Sequence, residues 1–120
     1  RGKRLYEAID EMDKASCAAD FALLIYPGGL ADGEGELKET LQVDEASPPM
    51  FFAHAADDRV TCLSSTALFT ALKKNDVPAE LHIWAAGGHG YGLRRTEMPV
   101  TRWPDHAAAW LQNQQLMPAK

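Results

Sequence analysis

The sequence predicts an α/β fold in which about three parallel strands are flanked by helices. Two observations carry this reading. The runs Phe21-Ala22-Leu23-Leu24-Ile25-Tyr26 and Met50-Phe51-Phe52-Ala53-His54 are short and unbroken, as a strand covered on both faces requires. Such runs then alternate with helically spaced segments, in the order strand, excursion, strand, helix, strand, helix. That order suits parallel strands joined by right-handed crossovers.

Taken in order, residues 1–19 are mixed, with Leu5, Tyr6, Ile9 and Met12 at roughly helical spacing among acidic side chains. The first strand, 21–26, is stopped by Pro27-Gly28-Gly29. Residues 30–48 are acidic and carry Gly33 and Gly35, which predicts a surface excursion with one helical turn over Leu37–Leu41. The charge run at 32–45 reads as a solvated face. Pro48-Pro49 lead into the second strand. A helix is expected from Leu63 to Asn75, with Leu68, Ala71 and Leu72 as its apolar stripe. Lys73, Lys74 and Asn75 are its end signals, and Pro78 stands just beyond. Glu80-Leu81-His82-Ile83-Trp84 is the third strand. A loop from Gly87 to Arg102 precedes a last helix from about Pro104 to Gln114, since proline suits a first turn. Trp103, Ala107, Trp110 and Leu111 form its stripe, and Trp84, Trp103 and Trp110 are assigned to the core.

The 120 residues suffice for one domain with a real core and are too few for two. With 46% hydrophobic and 24% charged residues, the composition is that of an ordinary globular chain. The net charge of −5, with no basic cluster beyond Arg1, Lys3 and Arg4, argues against nucleic acid, whose phosphates need a concentrated cationic face. No apolar run approaches the ~20 residues of a membrane span. Cys17 and Cys62 are the only cysteines, and two buried thiols are expected in preference to a bridge between them.

In open parallel sheets, ligand sites gather beyond the carboxyl ends of the strands. Asp57 and Asp58 follow the strand ending near His54, and His89 follows the one ending near Trp84, inside Gly87-Gly88-His89-Gly90-Tyr91-Gly92. If the strands are parallel neighbours, both loops emerge on one edge and a carboxylate reaches the imidazole. A neutral histidine takes a proton from a hydroxyl only when held in the right tautomer. A carboxylate on its far nitrogen fixes that tautomer and stabilises the imidazolium. Glycines around the histidine permit positive φ and close backbone approach. Each motif also has a plain reading: a turn whose histidine faces water, and an acidic turn or helix cap. The two together, at the right ends of consecutive strands, favour catalysis. His54 is expected to be a packed strand-end residue, and His82 and His106 structural or solvated. A metal role for Asp57, Asp58 and His89 has no recognisable ligand pattern behind it, and no cofactor is expected.

From Pro48 onward the residues Pro48-Pro49-Met50-Phe51-Phe52-Ala53-His54-Ala55-Ala56-Asp57-Asp58-Arg59-Val60 resemble the C-terminal part of α/β-hydrolase esterases. So do Leu68 to Val77 with Pro78-Ala79-Glu80-Leu81-His82, the glycine-histidine run, and the closing Trp103 and Trp110-Leu111. The stretch from Tyr6 through Asp20-Phe21 to Tyr26-Pro27 resembles the preceding segment of the same group. The likeness is closest to the acetyl-esterase and feruloyl-esterase-like group, which overlaps with the dienelactone-hydrolase and prolyl-peptidase superfamily. It implies that Asp58 is the triad acid, with Asp57 as the alternate, and that His89 is the base. It implies a nucleophile in Gly-x-Ser-x-Gly, ahead of the acid in chain order. None of Ser16, Ser47, Ser64 or Ser65 has those flanks, so the nucleophile and the oxyanion loop are expected upstream of Arg1. Residues 1–120 then form the C-terminal part of a single α/β-hydrolase domain.

The resemblance thus implies a serine carboxylesterase acting on short acyl esters, acetyl or feruloyl, on a small molecule or a carbohydrate. The loop 90–102, with Tyr91, Leu93, Met98 and Val100, is expected to line the pocket. Alone, the chain is expected to be inactive, because it lacks the nucleophile and oxyanion donors worth ~3 kcal/mol or more. Its first strand would present an open apolar edge. A non-catalytic α/β module that accepts a partner chain is the first alternative. A peptidase of the prolyl-oligopeptidase type, which shares the triad order, ranks below the esterase because nothing resembles its propeller. Compartment and oligomeric state stay open, an exported location being suggested by analogy alone.

Overall fold

In the computed structural model, which describes residues 6–118, the three apolar runs form strands β1 (Ala22–Ile25), β2 (Met50–Ala55) and β3 (Ala79–Trp84). They pair in sequence order and all in parallel. Ala22 lies opposite Met50 and Ile25 opposite Ala53, while Met50 faces Ala79 and Ala55 faces Trp84. Every strand therefore ends at the same edge of the sheet.

β2 is the centre of the molecule, and its side chains divide between two cores with the period-2 alternation of a pleated strand. Phe51, Ala53 and Ala55 point to one face, where Val100, Trp103, Ala107 and Trp110 cover them. Phe52 points to the other, against Leu68, Leu72 and Val77. A run apolar on both sides is thus explained residue by residue. Helix α1 (Leu63–Lys74) covers the Phe52 face, and helix α2 (Trp103–Asn113) covers the Phe51 face. α1 buries Ser64, Ser65, Ala67, Leu68 and Leu72 on one stripe. It stops where Asp76 turns left-handed at φ 56 and the Asp76 and Val77 N–H groups donate to Lys73 and Leu72 carbonyls. α2 begins earlier than the proline alone suggests, because a 3-10 turn at Pro99–Arg102 feeds directly into it.

The connection from β1 to β2 contains no α-helix, and the turn expected over Leu37–Leu41 does not form as a helix. Leu37 instead bridges Ala31 in antiparallel fashion. The Asp32 carboxylate accepts the N–H groups of Glu34 (2.8 Å) and Glu36 (3.0 Å), so an acidic turn competes successfully with helix formation. Leu30, Leu37 and Val43 pack on the Phe52 cluster, and the Leu30 N–H donates to Ser64 Oγ at 3.2 Å. The excursion is therefore tied to α1 rather than free in solvent.

Near the N-terminus, Tyr6, Ile9 and Met12 are exposed, and among the described residues there a 3-10 turn, Met12–Lys14, is the one helical element. Leu5, Arg1, Lys3 and Arg4 lie outside the described residues. The expectation of two buried thiols is corrected: both cysteines are free, but Cys17 is exposed and Cys62 half-buried. Among the described residues, no helix is long and apolar enough to cross a membrane.

Candidate active site

The site forms where the carboxyl ends of all three strands meet. β2 delivers Asp58 three residues past its end, through a tight turn in which the Asp58 N–H donates to the Ala55 carbonyl at 3.2 Å. β3 delivers His89 on the glycine loop. His89 Nδ1 stands 2.8 Å from Asp58 Oδ2. The Asp58 side chain is fully buried, whereas that of His89 is 44% exposed. Among the described residues, none bonds His89 Nε2.

Asp58 is held from three sides. Its Oδ1 accepts the Val60 N–H at 2.8 Å, and its Oδ2 also lies 3.2 Å from His54 Nε2. His54 is completely buried, with Nδ1 2.8 Å from Ser65 Oγ and Nε2 2.8 Å from the Val60 carbonyl. With two acceptors facing Nε2, the proton belongs there, and Ser65 Oγ–H donates to Nδ1. His54 is thus a packed residue, as its position suggested, and it also touches Asp58. Burial pushes the Asp58 carboxyl up. The hydrogen bonds from His89 and Val60, with a further electrostatic contribution from the His89 and His54 rings, outweigh that and hold it below 3.8.

An ionised Asp58 accepts hydrogen bonds and donates none, so His89 Nδ1 must carry the proton. That leaves Nε2 with a lone pair directed away from the acid. The pair can take a proton from a hydroxyl placed at Nε2 and return it later.

The glycines are required where the backbones crowd. A Cβ on Gly87 would lie 2.6 Å from Val100 Cγ1 and 3.2 Å from Ala55 Cβ, while Gly88 is left-handed at φ 64. Asp57, the alternate acid, does not meet the imidazole. Its Oδ1 accepts the N–H groups of Gly87 (3.0 Å) and Gly88 (2.8 Å).

Tyr26 was not singled out by the sequence. It ends the β1 run at φ 43, and its ring lies 4.4 Å from that of His89 and edge-on to Tyr91 at 4.9 Å. The one signal for it is position, since it stands at the carboxyl end of the first parallel strand. Tyr91 is buried, donates to the Ala53 carbonyl at 3.4 Å and has its phenol pushed up to about 12, by burial first and then by Tyr26 and Asp58.

A cleft of about 170 Å³ opens beside His89, lined by Tyr91, Arg94, Thr96, Met98 and Val100 among others. Leu93, expected there, is exposed instead. His82 and His106 lie away from the dyad. Their rings are 4.6 Å apart, with Trp84 stacked on His82 at 5.6 Å, in an aromatic cluster between β3 and α2. Among the described residues, no group of three or more His, Cys, Asp or Glu side chains is arranged to hold a metal ion.

The fold is shared with solved structures. An acetyl ester-xyloside bifunctional hydrolase from Caldicellulosiruptor lactoaceticus is 27% identical, with a TM-score of 0.81 over 93% of this chain and 48% of its own. An α/β hydrolase from a Medee basin deep-sea metagenome library is 26% identical, with a TM-score of 0.67 over 78% of this chain and 43% of its own. A thermophilic esterase from Thermogutta terrifontis, 20% identical, has the same fold at a TM-score of 0.70 over 95% of this chain and 50% of its own. The chain thus spans about half the length of the structures it matches. No curated protein matches it in sequence. The sheet is the corresponding part of an α/β-hydrolase fold, and residues 32–116 match the prolyl oligopeptidase family, to which the chain belongs.

Proposed function

We propose that this chain supplies the acid and the base of a serine carboxylic-ester hydrolase. The observation that carries the reading is the 2.8 Å contact between His89 Nδ1 and Asp58 Oδ2 at the shared carboxyl edge of the sheet. The nucleophilic serine and the oxyanion donors belong to the part of the protein that answers to the other half of the matched structures.

In that enzyme the serine Oγ–H bond breaks as Oγ attacks the ester carbonyl, and His89 Nε2 takes the proton. Asp58 holds the ring in register and stabilises the resulting imidazolium. Collapse of the tetrahedral intermediate breaks the bond to the alcohol, which leaves with the proton from Nε2. Water then repeats the sequence on the acyl-enzyme, releasing the acid and restoring the serine. The substrate class is short acyl esters, acetyl or feruloyl, on a small molecule or a carbohydrate. Support for acetyl comes from the printed description of the Caldicellulosiruptor relative as an acetyl ester-xyloside hydrolase. On this reading the 120-residue chain has no esterase activity by itself.

The test is turnover of p-nitrophenyl acetate by the protein carrying both halves. His89→Ala should lower kcat by about 10⁶-fold and Asp58→Asn by about 10⁴-fold, the scale found when such triads lose a member. Unchanged turnover in the His89 variant rejects the assignment. The family match favours a second reading, a serine peptidase using the same dyad. Cleavage of an acyl-proline p-nitroanilide faster than the acetate ester would select it.

A further inference from the structure

Asp57 and Asp58 are adjacent, yet the structure separates their tasks. Asp58 is buried and bonded to the His89 ring, whereas Asp57 is exposed and bonded to backbone. Two successive N–H groups, those of Gly87 and Gly88, converge on Asp57 Oδ1 at 3.0 and 2.8 Å. Consecutive backbone N–H groups of this kind form a concavity suited to an anion. Here the anion is a side chain of the neighbouring loop.

Beyond the packing of Gly87 on Val100 and Ala55, little else holds the turn they belong to. Gly87 has no room for a Cβ, and Gly88 is left-handed, so neither residue contributes a side chain of its own. Among the described residues, no other side chain hydrogen-bonds the backbone of 85–89. Without that acceptor, two glycine residues with wide torsional freedom would precede His89 directly. The imidazole would then have to find Asp58 from a distribution of loop positions.

We propose that Asp57 is a positioning residue, which clamps the Gly87-Gly88 turn to the end of β2 and thereby fixes the His89–Asp58 distance. The inference rests on the hydrolase reading above, in which that distance matters for turnover.

Asp57→Ala and Asp57→Asn, with Asp58→Asn as reference, test it in the protein carrying both halves. The readouts are kcat and KM for p-nitrophenyl acetate and the low-field proton resonance of His89 Nδ1–H. Asp57→Ala should lower kcat by about 10- to 100-fold with KM within about twofold, the scale of a misplaced catalytic group. It should also broaden or remove the resonance. Asparagine keeps an oxygen that can accept both N–H groups, so Asp57→Asn should recover kcat to within about threefold and restore the resonance. Wild-type kcat and resonance in Asp57→Ala overturn the proposal. So does an Asp57→Asn variant as damaged as the alanine, because charge rather than the clamp would then be the cause. Full turnover in Asp58→Asn would instead remove the triad reading, and the resonance alone would then decide whether Asp57 sets the loop.

Discussion

Asp58 sits fully buried between two histidines and still titrates low, and the balance behind this has a sign that can be measured. A carboxyl whose folded pKa is depressed binds its proton less readily in the native state than in the unfolded one. Its contribution to stability is present above the unfolded value, near 3.8, and is lost as pH falls through the lower folded value. Urea midpoints of the wild type and Asp58→Asn should therefore differ by a constant gap down to about pH 4, and the gap should close below it. A gap that closes already near neutrality contradicts the assigned direction. At this scale the sequence was informative but incomplete. The spacing placed both aspartates past the end of one strand and the resemblance preferred Asp58, but which one meets His89 and which one meets Gly87 and Gly88 is settled by the directions of their side chains. Tyr26 could not be read, because it continues an apolar run. Its left-handed backbone is one that a bulky residue adopts only under constraint, at about 1–3 kcal/mol.

Elements were the most legible level. Strand β2 and helix α1 followed from an unbroken apolar run and a stripe at helical spacing, because both patterns are imposed by local geometry and burial. The failed turn at Leu37–Leu41 marks where local pattern stops being sufficient. A leucine at helical spacing was taken by a bridge to Ala31, and the acidic turn at Asp32 set the chain direction first. Packing between elements also fixes the histidine loop. Gly87→Ala should destabilise by about 1–3 kcal/mol, because its Cβ would meet Val100 in the 3-10 turn. Val100→Ala removes the obstructing methyl and should absorb much of that cost. Urea unfolding of the two single variants and the double should thus show a favourable coupling of 0.5 kcal/mol or more, about the threshold for residues in contact. Additive effects would mean that the crowding is relieved elsewhere.

Among the described residues the sheet has two open sides, since β1 and β3 each pair there with β2 alone. The molecule's radius of gyration is 15.9 Å, above the roughly 14 Å of a compact chain this long, and residues 6–20 include no buried side chain. On β1, Leu23 shares the face of Phe51 yet stays exposed, beyond the reach of α2. An unpaired strand beside an exposed apolar side chain invites another strand. The isolated chain should therefore self-associate at micromolar concentration in sedimentation experiments, and Leu23→Lys should shift it toward monomer. A monodisperse wild-type monomer with sharp thermal unfolding contradicts this. The parallel order of the sheet was legible in the alternation of strands and helices. What lies against its outer edge was not, because edge pairing is decided by residues that these runs do not contain. The dyad itself needs no such neighbour: the loops after β2 and β3 assemble it from within. With the serine proposed on a separate stretch, a break between the two regions leaves the His89–Asp58 pair whole. Two polypeptides brought together in trans could then reconstitute a working catalyst, as in a split reporter.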